Sequence, residues 1–306
     1  LQVGRVPIFL LDTDLEENAP WDRGLSARLY GGNQDLRLQQ EIVLGLGGVR
    51  ALKAMGIEPT VWHLNEGHAA FVALQRIWDH IEQGASFEAA LAHVRASTVF
   101  TTHTPVPAGH DAFPFPLVET HMAGAWGSLG EYRERFMSLG AHDNGMGPQF
   151  NMTALAMRTA AGVNAVSQLH GEVTRGMFTS LWPGTPKDSL PIKAVTNGVH
   201  ANTWVAAHMG KLFDQFLGTE WRARIDEPDY WDRVLDIPDQ ELWNVRLAMR
   251  HDLFRFIRDR ARERWTTSNV SGAQAVAIGT LLDPSALTIG FARRFTAYKR
   301  PDLIFR

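Results

Sequence analysis

A chain of 306 residues, 45% of them hydrophobic, is long enough to bury one large core or two smaller ones. Its net charge of −3 gives no overall pull toward nucleic acid or an acidic membrane, and neither is expected as a partner. The sequence has no cysteine, which excludes a disulfide framework and a Cys-ligated metal and fits a reducing, cytoplasmic setting; no apolar run is long enough to span a bilayer.

In chain order, short β-branched bursts predict strands at 6–11, 60–64, 98–101, 163–166, 192–196 and 287–291. Helical spacing between them predicts helices at 39–55, 69–81, 87–96 and, longest, 239–265. Alternation of this kind indicates an α/β protein with a parallel sheet. Asp236 is the expected N-cap of the last helix, with Pro238 in its first turn, and Trp243 falls at core periodicity along it. The five arginines from Arg255 to Arg264 read as its solvated face. Gly45-Leu46-Gly47-Gly48 lies within helical spacing and reads as close helix packing. The weakest hydrophobic patterning, around 206–239, marks the expected domain boundary. The chain starts at Leu1, not methionine, and stops at Arg306 inside a motif, so it reads as a central fragment of a longer protein.

Polar residues gather where strands are expected to end. Asn65-Glu66-Gly67-His68 follows the 60–64 run, and Thr102-His103-Thr104-Pro105-Val106-Pro107-Ala108-Gly109-His110-Asp111 follows 98–101. Asn197-Gly198-Val199-His200 follows 192–196, and Arg293-Arg294-Phe295-Thr296-Ala297-Tyr298-Lys299-Arg300 follows 287–291. Ligands of open α/β sheets bind at the carboxyl ends of strands, so these groups are expected to share a rim. Asn, His and Glu match sugar hydroxyls in donors and acceptors. The Arg and Lys run suits phosphate. His103, held by the rigid Thr-Pro-Val-Pro turn, is the strongest single candidate. The His63, Glu66 and His68 cluster could be read as a metal site, but His63 and His68 need not face the same way and HExxH is absent. Nucleotide fingerprints of the GxxxxGK[ST] and GxGxxG kinds are absent.

These motifs resemble the α-glucan phosphorylases of the short bacterial type. The likeness is carried by Trp62 to Phe71, Phe100 to Asp111, Val195 to His200 and Arg293 to Arg300, in family order, and extends through Tyr30-Gly31-Gly32 and Phe150-Asn151-Met152-Thr153. It implies a GT-B fold, two Rossmann-like domains facing a cleft. Residues 1–205 would be the later part of the N-terminal glucan-binding domain. Residues 206–306 would hold linker helices and the start of the C-terminal phosphate- and cofactor-binding domain. The implied activity is retaining phosphorolysis of an α-1,4-glucan by inorganic phosphate to α-D-glucose 1-phosphate, with pyridoxal 5′-phosphate as cofactor and a homodimer as assembly.

Carried over by position, His103 and Asn197 would bind the 6-hydroxyl of the transferred glucosyl unit. Asn65, Glu66 and His68 would line the sugar pocket. Arg294 and Lys299 would bind substrate phosphate, with Lys299 and Arg293 on the cofactor phosphate. Tyr30-Gly31-Gly32-Asn33 would be a mobile entrance loop, although the family often has an acid where Asn33 stands. The cofactor's lysine is expected beyond Arg306, so this stretch alone is expected to be inactive. The alternatives are a nucleotide-sugar glycosyltransferase of the same build, a non-catalytic glucan-binding module and a metal-dependent hydrolase.

Overall fold

A computed structural model describes residues 1–29, 32–124, 126–143, 145, 147–267, 273, 283–293 and 295–305. The chain divides into two compact units, Leu1–Asn197 and Gly198–Arg306.

The first unit opens with a short antiparallel ribbon, β1 (Gln2–Val3) and β2 (Val6–Pro7). The expected 6–11 strand is therefore cut to two residues and is antiparallel; Val3, Val6, Phe9 and Leu10 are all exposed, so no second face is buried to hold a parallel strand. Helix α1 (Gln34–Ile42) starts at Asn33, whose side chain accepts from Leu36 N at 3.0 Å, an N-cap role that answers for this residue's place in the sequence. The chain then widens into a π-helical turn, Val43–Gly47, before α2 (Gly48–Ala54). The expected 39–55 helix is thus interrupted, and the cause is packing. A Cβ on Gly45 would stand 2.8 Å from the Phe71 carbonyl carbon and 2.9 Å from its Cα. Gly45→Ala is expected to lower stability by ~1–3 kcal/mol, because the obstacle is backbone that cannot rotate aside. An unchanged melting temperature would show that the π turn has slack to absorb the methyl.

Strand β3 (Trp62–Asn65) leads to α3 (Phe71–Glu82), α4 (Phe87–Ala96) and β4 (Thr98–Thr102). Helix α4 occupies its expected span because its signals agree: Ser86 caps Ala89 N, Glu88 lies in the first turn, and His93 and Arg95 lie in the last. Next come β5 (Ala112–Phe113), α5 (Phe115–Met122), α6 (Arg133–Gly140), β6 (Ala141–Asp143) and β7 (Pro148–Asn151), whose strands form an antiparallel sheet in the order β5-β7-β6. Helix α7 (Met152–Arg158), β8 (Gly162–Ala165), α8 (Gln168–Met177) and β9 (Ile192–Ala194) complete the unit. The main sheet is parallel throughout, in the order β3-β4-β8-β9. The fold is therefore mixed α/β around a parallel sheet. Leu64, Phe71, Leu74, Phe100, Phe150, Leu155 and Val163 from both sheets and the covering helices make one core. Arg76 ties three elements together, donating to Ser97 Oγ and Thr98 Oγ1 with its guanidinium over the Trp62 ring, 5.0 Å from the centroid.

The second unit contains α9 (Ala201–Trp204), α10 (Ala207–Phe216), α11 (Pro228–Trp231) and α12 (Asp239–Thr267). Its core is small and aromatic: Leu212, Leu217, Trp221, Tyr230 and Ile237, with Phe213 and Trp231 packed against them. Three corrections arise here. Asp236 does not cap α12; it closes a preceding 3-10 turn, and the carbonyl of Pro238 receives the helix's first bonds from Glu241 and Leu242. Trp243 is half exposed, not core. The 287–291 segment is not a strand: among the described residues nothing pairs with it, and Leu287 and Ile289 lie open to solvent. Of the α12 arginines, Arg255, Arg260 and Arg262 are exposed and paired with the helix's own acids, Asp252, Glu263 and Asp259 respectively. Among the described residues no helix is long and apolar enough to cross a membrane.

Candidate active site

Parallel strands in one sheet end on the same side, and β3 and β4 are immediate neighbours. Their carboxyl ends bring Asn65 and Glu66 against Thr102, His103 and Thr104. The turn after β3 begins at Glu66, whose φ of 76° is one of two positive values among described non-glycine residues. Its amide donates to Thr101 O at 2.8 Å, continuing the ladder. Its carboxylate then faces the β4 loop. Oε1 accepts from Gly67 N (3.1 Å) and Thr102 Oγ1 (3.3 Å), and Oε2 from His103 N (2.8 Å) and Thr104 Oγ1 (2.9 Å). The His103 ring is held separately, with Nε2 2.9 Å from Asn65 Oδ1. The amide oxygen can only accept, so Nε2 carries a proton and Nδ1 is left as the acceptor of the neutral ring.

Beneath this rim runs a polar ladder across three strands. Thr101 Oγ1 donates to Asn164 Oδ1 at 2.8 Å and so accepts a hydrogen bond from His63 Nε2 at 2.7 Å. His63 therefore faces its neighbouring strand, and among the described residues no group of three or more His, Asp or Glu side chains comes together as a metal site. Asn197 stands after β9, its amide donating to Val166 O at 3.1 Å. It shares the rim of β4 at two strand spacings, about 10 Å.

A second cluster lies beside the first. Arg37, on α1, reaches Asp111 with two nitrogens, 2.9 and 3.3 Å away, and places Nε 2.9 Å from Glu41 Oε1. Glu41 is 1% exposed, and burial together with the Asp111 carboxylate pushes its pKa up to about 9. Arg37 pulls the other way and loses, because one guanidinium already shared with the half-buried Asp111 does not offset the burial of Glu41. Glu41 therefore holds its proton at neutral pH. His68 is shifted down, first by burial and then by the Arg37 charge, so it offers a neutral imidazole with one donor and one acceptor. His110 is buried, its Nδ1 2.9 Å from Thr153 Oγ1, and its pKa is lowered chiefly by desolvation. The same hydroxyl would stand 2.8 Å from a Cβ on Gly67, so only glycine fits between Glu66 and His68.

Of the sequence candidates, the structure brings Asn65, Glu66 and His103 into direct contact and sets Asn197 on the same rim. Arg293, Arg294 and Lys299 belong to the second unit. Arg293 is exposed; Lys299 is half-buried in a 3-10 turn with Nζ 4.8 Å from the Tyr298 ring centroid. Arg294, Tyr30 and Gly31 lie outside the described residues. Sequence reasoning gave no role to Thr102, Thr104, Arg37 or Glu41. The two threonines were inside a quoted motif, and their hydroxyls were the available signal. Glu41 carried none, since a glutamate on a helix reads as solvent-facing until its tertiary neighbours are known.

No family model matches the chain. It is 44% identical over 304 residues, 99% of its length, to the maltodextrin phosphorylase of Thermococcus litoralis. It is 43% identical over its whole length to the glycogen phosphorylase of Mycobacterium tuberculosis, and 39% to that of Aquifex aeolicus. The chain spans 35%, 36% and 44% of these relatives, respectively. Along its whole length the chain is homologous to a stretch of the glycogen and maltodextrin phosphorylases.

Proposed function

We propose that the full-length protein carrying this chain is an α-1,4-glucan phosphorylase, transferring a terminal glucosyl unit to inorganic phosphate and releasing α-D-glucose 1-phosphate. The observation that carries the proposal is the fixed His103 at the rim of the parallel sheet, locked by backbone and ring, with Asn197 two strands away. A hexose between them would present its hydroxymethyl group to His103 Nδ1 as acceptor and to the Asn197 amide. His68 and Asn65 would line the remainder of the sugar pocket. Preorganised polar groups of this kind favour the transition state because they need no reorientation as charge develops.

Arg294 and Lys299 would hold the substrate phosphate, one as a planar fork and the other as a point charge. Arg293 and Lys299 would hold the phosphate of pyridoxal phosphate. Such donors fit a dianion, and nothing in the chain is assigned to the cofactor's aldehyde. When bound, the cofactor supplies a phosphate group able to give and recover a proton beside the substrate phosphate. The proposal carries with it a GT-B architecture and a cytoplasmic homodimer in the longer protein.

The test is release of glucose 1-phosphate from maltoheptaose and phosphate by the full-length protein, with an absorbance scan for bound pyridoxal phosphate. Product with a cofactor band is expected; a folded protein giving neither would overturn the proposal. His103→Ala is expected to cut kcat by about 10²-fold, the scale of one lost positioning contact, while the KM for glucan moves little because glucan binding is spread over many contacts. A raised KM with an unchanged kcat would assign His103 to general glucan binding instead.

A further inference from the structure

We infer that Glu66 acts as a positioning residue: its carboxylate straps the β4 loop so that His103 presents a fixed backbone and ring, and it binds no sugar hydroxyl. Sequence position placed Glu66 in the sugar pocket beside His68. The geometry points elsewhere, and three observations carry this.

The first is saturation. A carboxylate offers about four acceptor sites, and here each oxygen already accepts from two protein donors, at 2.8–3.3 Å. A sugar hydroxyl would have to displace one of them. The second is direction. Glu66 precedes a 3-10 turn, Gly67–Ala69, and a simple capping role would need only the Gly67 amide. Three of its four bonds instead leave that turn for the consecutive residues Thr102, His103 and Thr104. The third is strain. At φ 76°, ψ 164° the backbone adopts a conformation that L-residues rarely take, and glycine would be the default. A glutamate persists there because its side chain is held from the other strand. Asn65 and Glu66 are adjacent, so one turn fixes His103 twice, at its ring and at its amide. The inference deepens the phosphorylase proposal, and its kinetic arm rests on that reading.

Two substitutions separate the clamp from the strain. Glu66→Gln keeps size but turns an NH2 toward one of the two donor pairs. Glu66→Gly accepts the positive φ freely and removes the carboxylate alone. In the full-length protein both are expected to lower kcat for phosphorolysis of maltoheptaose by about 10²-fold, with the KM for glucan within about threefold of wild type. In both, amide exchange of His103 should accelerate at least about tenfold under conditions where the β4 amides remain protected. A sugar-ligand role would show the reverse, a raised KM and unchanged exchange at His103, and would overturn the inference. If wild-type protein released no glucose 1-phosphate, the phosphorylase reading would fail on its own. The exchange measurement would still decide the clamp: a His103 amide equally fast in wild type and variants would overturn it.

Discussion

Exchanging Glu41 for glutamine is expected to stabilise the protein at neutral pH, by an amount that grows as pH rises. Glu41 is 1% exposed and its folded-state pKa is raised from 4.5 to about 9. Between those values the unfolded chain releases a proton that the folded chain keeps. The wild type therefore loses stability as pH climbs from about 4.5 toward 9. Glutamine imitates the protonated acid: it is neutral and of the same size, and its oxygen can still face Arg37 Nε. The linkage cost it removes is on the order of 1–3 kcal/mol near pH 7, the upper end being what the full shift would give without relaxation. Urea unfolding at pH 5, 7 and 8.5 checks this. The two proteins should be nearly equal at pH 5 and diverge in favour of the variant above it. A constant destabilisation at all three values would mean that Glu41 is ionised and held by Arg37.

The contrast between Glu41 and His103 shows what could be read in the sequence. His103 follows Thr98–Thr102, a β-branched run that is buried on both faces, and a group placed directly after such a strand must lie at the sheet rim. Asn65 was legible for the same reason, and the adjacency of β3 and β4 turned two separate motifs into one contact. Helix Phe87–Ala96 was legible because its cap, first turn and last turn agree with its apolar spacing. What could not be read depended on partners remote in sequence. Glu41 is protonated because its tertiary neighbours bury it and because Asp111, in the loop before β5, lies beside it. Gly45 sits in a π turn because Phe71 approaches it. The positive φ of Glu66 has no signature in a glutamate and follows from four donors, three of them at the end of β4 and in the loop after it. The 287–291 run failed in the opposite way: its composition suits a buried strand, yet a strand needs a partner, and composition says nothing about whether one is present.

In the full-length protein, Arg294→Ala is expected to reduce phosphorolysis by about 10²–10³-fold, the effect of removing one preorganised charge contact to a transition state, roughly 2.7–4 kcal/mol. In the proposed reaction the phosphate would attack as an anion while the glucosyl unit develops positive charge, so a fixed cation would have to hold the nucleophile without consuming it. A guanidinium suits this because its planar fork grips two oxygens and it stays charged at any working pH. Arg294→Lys is the informative companion. It keeps the charge and loses the fork, so it should recover part of the rate if charge dominates and little if orientation does. Both variants should suffer most at limiting phosphate, whereas the KM for glucan should change little, since the proposed sugar-binding groups around His103 are untouched. Near-wild-type activity of Arg294→Ala at limiting phosphate would remove the phosphate site from the 293–300 run. Loss of glucan affinity in place of phosphate affinity would put Arg294 on the sugar side of the reaction.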